Sequence, residues 1–261
     1  MKAIVFDNAG TILKRVTALK DMSNNNIIYE TNTIGMADKN DENIILVFQM
    51  PTHKLIQEKG KIIDYLKTSK QAYEISYSQK HYTKDDVIKA LENDETNFED
   101  IKDSAKSLIN RYEIEICSGT AMIVNMKGKI THVYTAGGYL FEGTRELFQK
   151  LGTSGWSIYI ASGDNQNSLN KISSILKVKK ENVYHTCNIK CKEKVIKKLQ
   201  KQYETVIMVG NHSNDKLALK QANIGILSTQ QGETLSEDVI ESADYIIDNI
   251  KKVMKIVEKE V

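Results

Sequence analysis

Four short polar stretches carry the residue types that phosphoryl-transfer chemistry uses, and each is tied to a strand-like apolar run. The first is Asp7-Asn-Ala-Gly-Thr11, after Ile4-Val5-Phe6. The second is Ser162-Gly-Asp164, after Ile158–Ala161. The third is a lysine-rich helix start around Lys192, and the fourth is Gly210-Asn-His-Ser-Asn-Asp215, after Val206–Val209. A carboxylate is ionised near neutral pH and forms a high-energy, cleavable adduct with a phosphoryl group. Hydroxyls and loop N–H groups donate to phosphoryl oxygens, and a lysine offsets the charge that develops during transfer. Each residue alone has a plainer reading. Asp7 would end a buried strand, Thr11 and Ser162 would serve turns or caps, and most of the lysines near Lys192 would form a solvated helix face. Four such loops in one chain favour the chemistry.

The elements that must hold these loops follow from the hydrophobic pattern. Ala3–Phe6 is an unbroken apolar run, which suits an interior parallel strand. From Gly143 onward, strand and helix patterns alternate, and that alternation predicts a doubly wound parallel sheet of the α/β class. Ile27–Ile34 and Ile44–Met50 read as strands. Helical periodicity covers about 53–67, 83–93 and 97–112, with a capping signal at Thr83-Lys-Asp-Asp86. Ala121–Asn125 and Ile130–Thr135 read as a hairpin around Met126–Lys129. The expected organisation is a core of residues 1–19 and 114–261, interrupted by an inserted α+β cap domain over 20–113. An insertion at that point is expected over the carboxyl ends of the strands, where ligands bind in such sheets.

The order and spacing of the four loops resemble the haloacid dehalogenase superfamily. Its first motif is Asp-x-Asp-x-Thr, its second a Ser or Thr ending a strand, its third a Lys and its fourth an acidic loop. The core is similar in more detail to the soluble phosphorylation domain of P-type ATPases. Val209-Gly-Asn-His-Ser-Asn-Asp-Lys-Leu-Ala-Leu219 looks like their Val-Gly-Asp-Gly-x-Asn-Asp-x-x-Ala-Leu, and Ser162-Gly-Asp164 looks like their Thr-Gly-Asp. The resemblance implies that Asp7 is the nucleophile that forms an aspartyl-phosphate. It implies that Thr11 and Ser162 bind the phosphoryl oxygens, helped by Asn8, Ala9, Gly10 and Gly163, and that Lys192 neutralises charge, with Lys190 and Lys194 as alternatives. It also implies Mg²⁺, held by Asp7, the Ala9 carbonyl, Asn211, Asn214 and Asp215.

Two positions depart from the family pattern. Ala9 stands where the phosphatase branch has its acid/base Asp, and Asn211 stands where the family has a metal-binding Asp. The expected activity is therefore a Mg²⁺-dependent phosphohydrolase favouring activated phosphates. A non-catalytic protein that binds a phosphorylated ligand is a second reading. A third is a C–P hydrolase like phosphonoacetaldehyde hydrolase, whose Asp-x-Ala-Gly-Thr motif Asp7–Thr11 also fits; it would need a Schiff-base lysine such as Lys54 or Lys59.

The partner that the resemblance implies is a small phosphorylated molecule, and bulk properties point to no macromolecular one. The chain has 261 residues, a formal net charge of +2 and 27% charged residues, so charge implies no nucleic-acid or membrane partner. No window approaches the ~20 apolar residues that span a bilayer, and the amino terminus does not read as a signal peptide. The three cysteines do not make a disulfide framework, which points to a reducing cytoplasm. His185, Cys187 and Cys191 are thin evidence for a metal site. His212 is a candidate for facing the phosphoryl-transfer site, and no motif specifies an oligomeric state.

Overall fold

The computed structural model describes residues 1–31, 33–69, 71–112, 114, 116–164 and 166–260, the side chains of Ser118 and Glu260 excepted. In chain order the strands are β1 (Lys2–Phe6), β2 (Leu13–Asp21), β3 (Ile27–Tyr29), β4 (Asn43–Phe48), β5 (Tyr73–Ser78) and β6 (Ile116–Asn125). They continue with β7 (Lys129–Leu140), β8 (Ser157–Ala161), β9 (Val183–Tyr184), β10 (Thr205–Gly210), β11 (Ile224–Ser228) and β12 (Tyr245–Ile247). The chain forms two compact units, one of Met1–Arg15 with Tyr139–Val261 and one of Val16–Gly138.

The first unit is built on a six-stranded sheet of order β12-β11-β10-β1-β8-β9. Every pairing in it is parallel. Ala3, Ile4, Val5 and Phe6 are wholly buried, which is why β1 has no polar alternation: both of its faces are covered. On one face Ala3 and Val5 belong to a core with Val195, Ile196 and Leu199 of the helix Ile189–Leu199. Phe6 packs on Phe148 of the helix Thr144–Thr153, with ring centroids 4.7 Å apart. Register then brings the polar loops together. Phe6 lies opposite Val209 on β10 and Ile160 on β8. The residues that follow these strands, Asp7, Asn211 and Ser162, therefore emerge at one end of the sheet.

The second unit carries a sheet of order β3-β2-β7-β6-β4-β5, in which β2–β3, β4–β5, β4–β6 and β6–β7 pair antiparallel. Helices Ile62–Thr68, Lys84–Ala90 and Phe98–Arg111 accompany it, and Ile44, Leu46, Phe98, Ile101, Met122 and Val133 lie in its core. Lys20 is buried there and is paired with Asp100 at 2.9 Å and Asp103 at 2.8 Å. The Thr83 capping box forms, with Asp86 as the returning side chain. Among the described residues no helix is long and apolar enough to cross a membrane.

Four expectations change. The strand expected over Ile27–Ile34 ends at Tyr29, and Thr33–Ala37 is helical. The insert is Val16–Gly138 rather than 20–113, because β6 pairs antiparallel with β4, Val124 lying opposite Ile44. The alternating pattern of 121–135 identifies a hairpin but not the sheet that it joins. The helix expected over 53–67 is instead two helices, Thr52–Leu55 and Ile62–Thr68. Cys187 and Cys191 are joined in a disulfide with Cα atoms 5.1 Å apart. Their i, i+4 spacing across the helix start at Asn188 brings them within reach, and the bond occupies both sulfurs that a metal would need.

The chain leaves the first unit along β2 and returns along β7, and its two crossing points lie side by side. Phe141 N donates to Ile12 O at 3.1 Å, and Lys14 Nζ stands 5.8 Å from the Tyr139 ring centroid. Replacing 16–138 with a short Gly/Ser linker is expected to leave a core that unfolds in one cooperative thermal transition, followed by circular dichroism. A broad, non-cooperative melt would show that the core needs the insert.

Candidate active site

The first loop is set by backbone hydrogen bonds. Asp7 N donates to Val209 O at 2.9 Å, which extends the β1–β10 ladder by one residue. Asn8 O then accepts from Thr11 N, Ile12 N and Leu13 N at 3.0–3.1 Å and closes a tight turn. Gly10 sits in that turn at φ +89°, and a Cβ there would lie 2.2 Å from Asn211 Nδ2. The position needs glycine for its backbone conformation and for the space that Asn211 fills.

Asp7 is buried and faces two others in a chain of charge. Lys192 Nζ donates to Asp7 Oδ1 at 2.6 Å and to Asp215 Oδ1 at 2.6 Å. All three side chains are excluded from solvent. Lys192 shares a helix face with Val195, Ile196 and Leu199, whereas Lys190, Lys194, Lys197 and Lys198 are exposed. Burial, aided by the charge of Asp215, pushes the Asp7 carboxyl up to about 7 against the opposing pull of Lys192. Burial also penalises the Lys192 ammonium, but the charges of Asp7 and Asp215 outweigh it and hold its pKa above the ordinary lysine value.

The second loop has a resident carboxylate. Asp164 Oδ2 accepts from Ser162 Oγ at 2.9 Å and from Asn8 Nδ2 at 2.7 Å. Asp164 O accepts from Thr186 N at 2.9 Å, and Cys187 N donates to Ser162 O at 2.8 Å, so the loop is fixed to the 186–187 segment. The residue after Asp164, Asn165, lies outside the described residues. Gly163 is exposed on this loop.

The fourth loop meets the first through Asn211. The inward atom of its amide lies 3.1 Å from Ala9 O, 3.2 Å from Thr11 Oγ1 and 3.3 Å from Asp7 Oδ2. This is a cradle of oxygens around one atom. With the amide oxygen inward, the O···O spacings approach the edge of an octahedron of Mg–O bonds, about 3.0 Å. With nitrogen inward, the amide has all three oxygens within donating distance for its two N–H groups. Among the described residues no three His, Cys, Asp or Glu side chains cluster as a metal site, but Mg²⁺ needs only one or two carboxylates besides carbonyl and water oxygens. The donor set of Asp7 Oδ2, Ala9 O and Asn211 Oδ1 fits that ion.

Two expected ligands stand elsewhere. Asp215 is turned away from the cradle, accepting from Lys192, from Asn211 N at 2.9 Å and from His212 N at 3.2 Å. Asn214 is exposed on the turn Ser213–Asp215, and His212 is exposed, with Nδ1 3.0 Å from Ser213 Oγ. Sequence reasoning missed a fifth loop, after β11. Gln230 Nε2 donates to Thr11 O at 2.6 Å, Arg15 N donates to Gln231 Oε1 at 3.0 Å, and Arg15 is ion-paired with Glu233. No motif marks these residues; their position after a parallel strand was the available signal.

The site and fold define a class. The family model of haloacid dehalogenase-like hydrolases matches residues 1–223, and the chain belongs to that family of hydrolases. A soluble P-type ATPase-like phosphatase of Methanocaldococcus jannaschii is 27% identical over 261 residues, covering 98% of this chain and 93% of the relative. The human calcium-transporting ATPase type 2C member 2 is 32% identical over 124 residues, 47% of this chain but only 13% of the transporter. Among solved structures, a zinc-transporting PIB-type ATPase aligns with 98% of this chain and 40% of its own, at 20% identity and a TM-score of 0.49.

The Lys192 bridge generates a stability prediction. Lys192→Met leaves two buried carboxylates facing each other and is expected to cost about 3–5 kcal/mol in urea unfolding. Asp7→Asn keeps the Lys192–Asp215 pair and is expected to cost much less. Equal costs would mean that the bridge does not hold the site together.

Proposed function

We propose that the protein is a Mg²⁺-dependent phosphatase that works through an aspartyl-phosphate on Asp7 and favours small phosphorylated molecules with good leaving groups. The observation that carries this reading is the division of labour at Asp7. Its Oδ1 is held by Lys192, while its Oδ2 faces the cradle of Ala9 O, Thr11 Oγ1 and Asn211. The full-length archaeal relative, itself named a phosphatase, supports the same reading.

In the first step Asp7 Oδ1 attacks phosphorus and the bond to the leaving oxygen breaks. Lys192 stabilises the charge on the nucleophile and on the transferring group. Thr11, Ser162 and the loop N–H groups of Asn8, Ala9 and Gly163 would receive the phosphoryl oxygens. When bound at Asp7, Ala9 and Asn211, Mg²⁺ supplies positive charge that offsets the phosphoryl oxygens. In the second step water attacks phosphorus, the P–O bond to Asp7 breaks, and phosphate leaves with Asp7 restored. The side chain of Ala9 holds no proton, so the leaving group departs as an anion or takes its proton from water. Aryl and acyl phosphates tolerate this; alkyl phosphates do not, because losing a general acid costs on the order of 10²–10⁴-fold.

The C–P hydrolase reading gains nothing, since Lys54 and Lys59 are both exposed on the insert.

Asp7→Asn is expected to abolish both the phosphoenzyme seen by mass spectrometry with acetyl phosphate and, by roughly 10³-fold or more, the turnover of an aryl phosphate. Unchanged turnover would refute Asp7 as the nucleophile. Ala9→Asp is expected to raise alkyl phosphate hydrolysis by about 10²-fold, with a smaller effect on aryl substrates. No gain would mean that the site lacks more than an acid.

A further inference from the structure

We propose that Glu233 is a positioning residue that decides which end of the Asn211 amide faces the active site, holding Oδ1 inward as a cation ligand. The inference rests on the metal reading above and adds a residue to it. An aspartate needs no such help, because its two oxygens are equivalent. An asparagine has one end that binds a cation and one that repels it. The two faces of the Asn211 amide meet different partners. The inward atom lies 3.1–3.3 Å from Ala9 O, Thr11 Oγ1 and Asp7 Oδ2. Ala9 O and ionised Asp7 Oδ2 can only accept hydrogen bonds. With no cation among them, these oxygens draw the amide nitrogen inward and close the cradle. The outward atom faces Glu233 Oε2, at 3.4 Å from Asn211 Nδ2. A carboxylate also only accepts, so Glu233 draws the nitrogen outward and leaves the oxygen for the cradle.

Glu233 is itself tethered for this task. Its Oε1 is paired with Arg15. The Arg15 backbone is clasped by Gln231, which accepts from Arg15 N at 3.0 Å and donates to Arg15 O at 3.2 Å. Gln230 donates to Thr11 O at 2.6 Å and accepts from Ile250 N at 2.9 Å. The loop after β11 is thus sewn to the same turn that carries Ala9 and Thr11, and its carboxylate is held beside Asn211. The orientation that a symmetric carboxylate would not need at position 211 is set one hydrogen bond further out, where partners of metal ligands typically change affinity by about 10–100-fold.

The test measures Mn²⁺ affinity by electron paramagnetic resonance on the full chain in four forms: wild type, Glu233→Ala, Asn211→Asp and the double variant. Glu233→Ala is expected to weaken Mn²⁺ binding by about 10–100-fold in the Asn211 background and to leave it nearly unchanged in the Asn211→Asp background. If Glu233→Ala does not fold, Glu233→Met, which keeps the length but has no carboxylate or amide oxygen, takes its place with the same expected pattern. Equal losses in both backgrounds would reveal mere loosening of the loop and overturn the proposal. Wild-type binding that Glu233→Ala does not alter would overturn this inference alone. No Mn²⁺ binding by the wild type would overturn it together with the metal reading.

Discussion

A lysine ammonium buried between two carboxylates is the constraint on which the rest of this site depends. Removing three charges from water is costly, and their attraction offsets that cost only with short, well-aligned contacts. Lys192 supplies both at 2.6 Å. Every surrounding element serves that geometry. The β1–β10 register delivers Asp7 beside the fourth loop. The N–H groups of Asn211 and His212 bind the second oxygen of Asp215 and turn its first toward the lysine. Gly210 must lack a Cβ, because one would lie 2.5 Å from the Cβ of Asp215. The helix Ile189–Leu199 presents Lys192 on the same face as its apolar residues.

Much of this was legible in the sequence, because the core is specified by local pattern. An unbroken apolar β1, alternating strands and helices, and loops of fixed composition lead directly to the parallel sheet. The choice of Lys192 among its neighbours was also encoded: it falls at i−3, i−4 and i−7 from Val195, Ile196 and Leu199, the buried spacing of a helix. What was not legible depends on partners distant in the chain. The hairpin of β6 and β7 looks the same whichever sheet receives it, so the insert's second boundary was misplaced. The carboxylate of Asp164 reaches both Ser162 and Asn8, and Asn8 lies 156 residues away in the chain. Glu233 belongs to no motif, and only the folded loop brings it to Asn211.

The two departures from the family pattern act on different parts of the chemistry. Ala9 removes a proton donor but keeps its carbonyl oxygen in the cradle, since that group belongs to the backbone and any residue supplies it. Asn211 keeps an oxygen but makes its direction conditional. Both bear on the proposed chemistry, Ala9 through its missing proton donor and Asn211 through the direction of its one amide oxygen. The contacts of Lys192 with Asp7 and with the buried Asp215 involve neither position.

The contact between Gly10 and Asn211 has an evolutionary consequence. These residues lie toward opposite ends of the chain, yet they share one volume: the space denied to a side chain at position 10 is the space occupied by the amide at 211. A change at one is therefore screened by the other. Drift that enlarges position 10 must first displace 211, whereas an exchange of Asn211 for an isosteric aspartate leaves position 10 free of new constraint. A carboxylate at 211 is thus sterically within reach of a single substitution.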